Sequence, residues 1–124
     1  TLQDLKIYLI KRAAQNPTPA AFNALCISGI NPNWCNYNKI TSLMLTAKNN
    51  TNPRIINKLI DEYNCIANAV DIYNRNFLHY AAVNKDKTIY YKFLDEYKHL
   101  CVKDEDGYTP QHYLEHPEDF IHLV

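Results

Sequence analysis

The segment Lys58-Leu59-Ile60-Asp61-Glu62-Tyr63 returns as Lys92-Phe93-Leu94-Asp95-Glu96-Tyr97 thirty-four residues later. A recurrence at roughly 33 to 35 residues is the mark of a helical array whose units bury their apolar faces only against one another. It restricts the chain to a stack of similar bricks and moves the expected function onto a surface. Traced in both directions, the match gives further copies. Ile55, Ile56, Leu59, Ile60 and Tyr63 form one face of a helix, and Ile89, Tyr90, Phe93, Leu94 and Tyr97 repeat it. One period earlier stand Ala21, Phe22, Leu25 and Cys26. Thr18 and Asn52 each precede a proline and are read as N-caps of these helices.

A second set of markers lies upstream of each stripe: Ala13-Ala14, Thr46-Ala47, Ala81-Ala82 and Leu114-Glu115. Each unit therefore has two helices, each expected to span roughly 8 to 10 residues, a length that is marginal without packing. Pro117 is expected to end the first helix of the last unit early and to start the next. Phe120, Ile121, Leu123 and Val124 then supply a shortened closing stripe. The expected units are 1–35, 36–70, 71–103 and 104–124. The start at Thr1 and the end inside a repeat lead us to expect a fragment of something longer.

The 47% of apolar residues is enough for a continuous core. Thirteen basic residues balance thirteen acidic ones, so no net field favours nucleic acid or an anionic membrane. No apolar run approaches the length of a spanning helix. Asp4, Lys6, Lys11 and Arg12 break up the first apolar stretch, which excludes a signal-peptide core there. Cys26, Cys35, Cys65 and Cys101 contain no Cys-x-x-Cys pair and are read as reduced structural residues, not zinc ligands.

Asp104-Glu105-Asp106-Gly107-Tyr108-Thr109-Pro110-Gln111-His112 resembles the ankyrin-repeat signature Asp-x-x-Gly-x-Thr-Pro-Leu-His, departing only at Gln111. Asp71 to Ala82 resembles it more loosely, with Asn74, Asn76 and Phe77 in place of the Gly, Thr and Pro. Asn36 to Ala47 keeps Thr41, Leu43 and Ala47, and Leu25 to Asn33 resembles the end of such a unit. The physics is independent of the name. Thr109 before Pro110 is an N-cap followed by a preset helical φ, and Gly107 permits a positive φ in a tight turn. Asn74 tolerates that conformation; Lys39 does so poorly, so the first turn is expected to be distorted or of another kind.

The resemblance implies an all-α, ankyrin-type solenoid of about three and a half to four helix-turn-helix units. Turn tips and first helices would make a concave surface that ordinarily binds another protein. By the same resemblance His79 and His112 hydrogen-bond within and between units, which outweighs a metal reading of His112 with His116. His99 beside Cys101 does not make a nucleophilic pair, and two glycines make no phosphate loop. No catalysis, cofactor or metal is expected.

Ten tyrosines are the notable excess. Tyr63, Tyr80 and Tyr97 are read as core residues with the hydroxyl at the edge. The expected partner-binding residues are Tyr37, Asn38, Ile40, Ile72, Tyr73, Arg75, Glu105, Asp106 and Tyr108, a mixed aromatic, aliphatic and charged patch. Lys39, Lys48 and Arg75 against Glu105 and Asp106 suggest a charge gradient along the stack. Replacing Tyr73 and Arg75 together is expected to weaken binding and leave melting unchanged. The chain is thus read as a monomeric, intracellular and cytoplasmic interaction module. Two other readings stay open: a targeting or substrate-recruiting arm of a larger enzyme or host-directed microbial effector, which would place it in the host cytoplasm, and a structural spacer.

Overall fold

A computed structural model describes residues 1–121 and 123. The described residues form seven α-helices and no strand: α1 Leu2–Gln15, α2 Ala20–Ile27, α3 Ser42–Asn49, α4 Pro53–Asp61, α5 Phe77–Ala82, α6 Thr88–Leu94 and α7 Pro110–Glu115. Short 3-10 turns follow at Lys98–Leu100 and Pro117–Asp119. The first helices α1, α3, α5 and α7 stack in chain order, and α2, α4 and α6 pack each on its own first helix. At 14 residues α1 exceeds the expected length, whereas α5 and α7 have 6 each. Helices this short depend on their neighbours.

The expected rungs are buried. Ala14, Ala47 and Ala82 let the first helices approach closely, and Phe22, Ile56 and Tyr90 fill one layer of the second helices. Leu25, Leu59 and Phe93 fill the next. Aromatic edges close the third unit, with Tyr97 against Phe77 at 5.0 Å between centroids and Tyr63 and Tyr97 half-buried. Cys65 is buried, and burial pushes its thiol up to about 11; Cys26 is only partly covered.

Caps follow the sequence with one exception. Thr41 accepts from the Met44 amide at 3.1 Å, Asn52 from Arg54 at 3.1 Å, and Thr109 from His112 at 3.3 Å. Asn76 takes the threonine's place in α5, accepting from Leu78 and His79. Thr18 does not cap α2. Its hydroxyl turns back to Asn16 Oδ1 at 2.9 Å, and α2 starts after Pro19 without a side-chain cap.

A rung unnoticed in the sequence joins the pairs. Asn16, Asn50 and Asn84 each sit where a first helix ends. Asn50 Nδ2 donates to the Asn16 carbonyl at 2.7 Å, and Asn84 Nδ2 donates to the Asn50 and Ala47 carbonyls, each at 2.8 Å. These side chains satisfy carbonyls that a helix terminus leaves without partners. The closing stripe differs from expectation. After the 3-10 turn at Pro117–Asp119 the chain is extended at Phe120, which folds back as a core residue instead of forming an outer helix. Val124, expected in that stripe, lies outside the described residues.

Candidate functional site

Three turns, at 36–40, 71–75 and 104–108, share one bonding pattern. In each, the leading Asn or Asp amide donates to the carbonyl four residues on, at 3.1, 3.0 and 2.9 Å. Its side-chain Oδ1 accepts from the amides two and four residues on, at 2.8 to 3.0 Å. The fourth residue takes a positive φ: 58° at Lys39, 61° at Asn74 and 83° at Gly107. The first turn is therefore not distorted. Left-handed backbone costs a lysine about 1–2 kcal/mol, and the two bonds to Asn36 Oδ1 offset it. Adjacent tips are joined through the backbone, Ile72 N to Asn38 O at 3.1 Å and Glu105 N to Tyr73 O at 2.8 Å. The turns make a ladder of fixed spacing.

The expected contact residues separate on this scaffold. Tyr37 is 88% exposed and Ile72 44%, and Glu105 and Asp106 are exposed. Asn38, Tyr73 and Tyr108 are half-buried. Tyr108 stacks on His112 with centroids 3.9 Å apart and planes 4° from parallel. Ile40 and Arg75 do not belong to an exposed patch, because they are 1% and 2% exposed. Arg75 also drops out of the charge gradient, leaving Lys39 and the half-buried Lys48 on the basic side.

Arg75 lies in a buried polar network. Its Nε donates to Asp71 Oδ2 at 2.8 Å, which also accepts from the Tyr80 hydroxyl at 2.7 Å. Burial, then the Asp71 charge, pushes the Tyr80 hydroxyl well above its ordinary range. The next unit copies the motif, with the Tyr113 hydroxyl donating to Asp104 Oδ2. Because Arg75 is buried and paired, replacing Tyr73 and Arg75 together is now expected to lower melting as well, which makes that variant a poor probe of binding.

What covers Arg75 is Phe120, with Ile121 beside it. The Phe120 ring lies over the Arg75 guanidinium at 4.1 Å and meets Tyr80 and Tyr113 edge-on at 4.9 and 5.3 Å. Arg75 Nη1 donates to the Ile121 carbonyl, and Asn38 Nδ2 to the Leu123 carbonyl, both at 2.9 Å. Ile40, Leu45 and Tyr80 line a cleft of about 190 Å³ together with Phe120 and Leu123. Nothing local in the sequence signals this cover, since Asn38 and Leu123 lie 85 residues apart.

His79 ties two units together. Its Nδ1 accepts from the Asn76 amide at 3.1 Å, so Nε2 carries the proton and donates to the Tyr108 carbonyl at 3.1 Å. Burial lowers its pKa, against the pull of the Tyr108 carbonyl. A histidine depressed in the folded state contributes stability above its unfolded pKa of about 6.5 and loses it as pH falls through the folded value. Between pH 7 and 5 the melting temperature is expected to fall, and His79→Gln, which does not titrate, is expected to flatten that slope. An unchanged slope in thermal melts would remove His79 as the cause.

His112 Nε2 pairs with Asp119 at 2.7 Å, and His116 Nδ1 with Glu118 at 3.3 Å. Among the described residues no group of three or more His, Cys, Asp or Glu side chains is placed to hold a metal ion, and no helix is long and apolar enough to cross a membrane.

No curated protein matches the chain. A family model described as ankyrin repeats (3 copies) matches residues 10–104, ending where the third turn begins. Together with the stacked helix pairs and the bonded turns between them, that match establishes that the chain belongs to the ankyrin-repeat family.

Proposed function

We propose that the chain is a non-catalytic protein-interaction module whose contact surface is the row of exposed turn tips. Ankyrin repeats are in general modules that bind other proteins. Tyr37 and Ile72 supply apolar anchors, and Glu105 and Asp106 set the sign of the far end. The observation that carries the reading is the shared turn geometry, with neighbouring tips bonded through the backbone. Side chains on such a ladder are held at fixed spacing before a partner arrives, so little ordering entropy is lost on docking. Balanced charge supports a protein partner over nucleic acid. The exposed free thiols of Cys35 and Cys101 fit a reducing, intracellular compartment.

The test is affinity capture with the parent chain and with the double variant Tyr37→Ala, Ile72→Ala. Surface substitutions of this kind change stability by about 0.5 kcal/mol or less, so melting is expected to hold. Recovery of a specific partner is expected to fall at least about tenfold, equivalent to roughly 1.4 kcal/mol. Identical recovery by both chains would refute the turn-tip assignment.

A further inference from the structure

The groove between the turns and the first helices already holds a peptide. Phe120, Ile121 and Leu123 cross from the last unit back toward the first turn. The groove receives them as a receptor receives a ligand: one aromatic pocket and two donors aimed at main-chain carbonyls. The pocket is made by Tyr80, Tyr113 and the Arg75 guanidinium. The donors are Arg75 Nη1 and Asn38 Nδ2, on the carbonyls of Ile121 and Leu123. The two donors stand on successive turns and reach main-chain carbonyls two positions apart. Such contacts fix backbone direction and ask little of the side chains between, and the Ile121 side chain is indeed exposed.

The occupant is also incomplete. Among the described residues Arg75 Nη2 is buried without a hydrogen-bond partner, and Leu123 lines a cleft of about 190 Å³ with Ile40 and Tyr80. A segment with an acceptor or more bulk at those points would fit better than the tail does.

We propose that this groove is a binding site for an extended protein segment with a phenylalanine three residues ahead of an aliphatic side chain, and that the chain's own Phe120 and Leu123 occupy it until such a segment competes. The proposal rests on the protein-binding reading but uses a different part of the surface from the tips.

The experiment uses the full chain and a fluorescein-labelled peptide of residues 117–124, followed by anisotropy. The double variant Phe120→Ala, Leu123→Ala, which frees the groove, is expected to bind the peptide saturably and at least tenfold more tightly than the parent chain. A peptide with alanine in place of its phenylalanine is expected to lose that binding by tenfold or more. Equal affinity of parent and variant, indifference to the phenylalanine, or no binding by a variant that circular dichroism shows to be folded would each overturn the proposal. Should the variant fail to fold, hydrogen exchange of the parent chain decides. Excess peptide is expected to deprotect the C-terminal residues, and unchanged protection overturns the proposal. Because the probe is a defined peptide, failure here leaves the partner-capture test on Tyr37 and Ile72 standing.

Discussion

Asp71→Ala is expected to destabilise the chain by about 3–5 kcal/mol, the cost of removing one partner of a buried ion pair. Both side chains are buried, and Asp71 accepts four hydrogen bonds: from the Tyr73 and Arg75 amides, Arg75 Nε and the Tyr80 hydroxyl. Alanine would leave the Arg75 guanidinium under Phe120 with no counter-charge, in a domain whose whole stability is about 5–15 kcal/mol. Urea unfolding at neutral pH would measure the loss.

The first turn supplies the control. There Asn36 makes the same two Oδ1 bonds as Asp71, and the residue four positions on is the buried Ile40 instead of an arginine. Asn36–Ile40 is thus a neutral solution to the turn that Asp71–Arg75 solves with charge. Asp71→Asn combined with Arg75→Ile is expected to recover at least about 2 kcal/mol relative to Asp71→Ala, because well-packed apolar replacements of buried pairs are often neutral. It forfeits the bond to the Ile121 carbonyl, so full recovery is not expected. The two single changes must then be strongly coupled. Simple additivity of their costs would show that the charge pair is not the organising feature of this turn.

The turns and rungs also explain which parts of the molecule could be read in advance. Helix pairs were legible because burial recurs with the period, as at Leu59 and Phe93. The turn at Lys39 is not legible from residue preference, because the bonds to Asn36 Oδ1 fix its backbone. The Asn16, Asn50 and Asn84 rung had a perfect spacing, yet asparagine is so abundant here that one periodic set does not stand out. The sequence places Ile40 and Arg75 at the turns but does not reveal that they are buried. Arg75 is covered by Phe120, and a contact between distant segments leaves no local pattern.

Asn84 carries the second large effect. Its Oδ1 accepts from the Asp86 amide at 2.9 Å, and because that amide can only donate, the orientation of the side-chain amide is fixed. Nδ2 must then serve the Ala47 and Asn50 carbonyls, both at the C-terminal end of α3. Asn84→Ala is expected to cost about 2–4 kcal/mol, since a buried acceptor left unpaired costs about 1–3 kcal/mol. Asn50→Ala strips only the Asn16 carbonyl of its donor and is expected to cost about half as much. Asn84→Asp keeps the acceptor for Asp86 but turns a carboxylate toward two carbonyls, so it should be the worst of the three despite being the closest in shape. Equilibrium unfolding of the three variants gives the order directly. If the aspartate variant were milder than the alanine one, the amide would not be joining the second and third helix pairs as a donor, and the rung would have to be reassigned to packing alone.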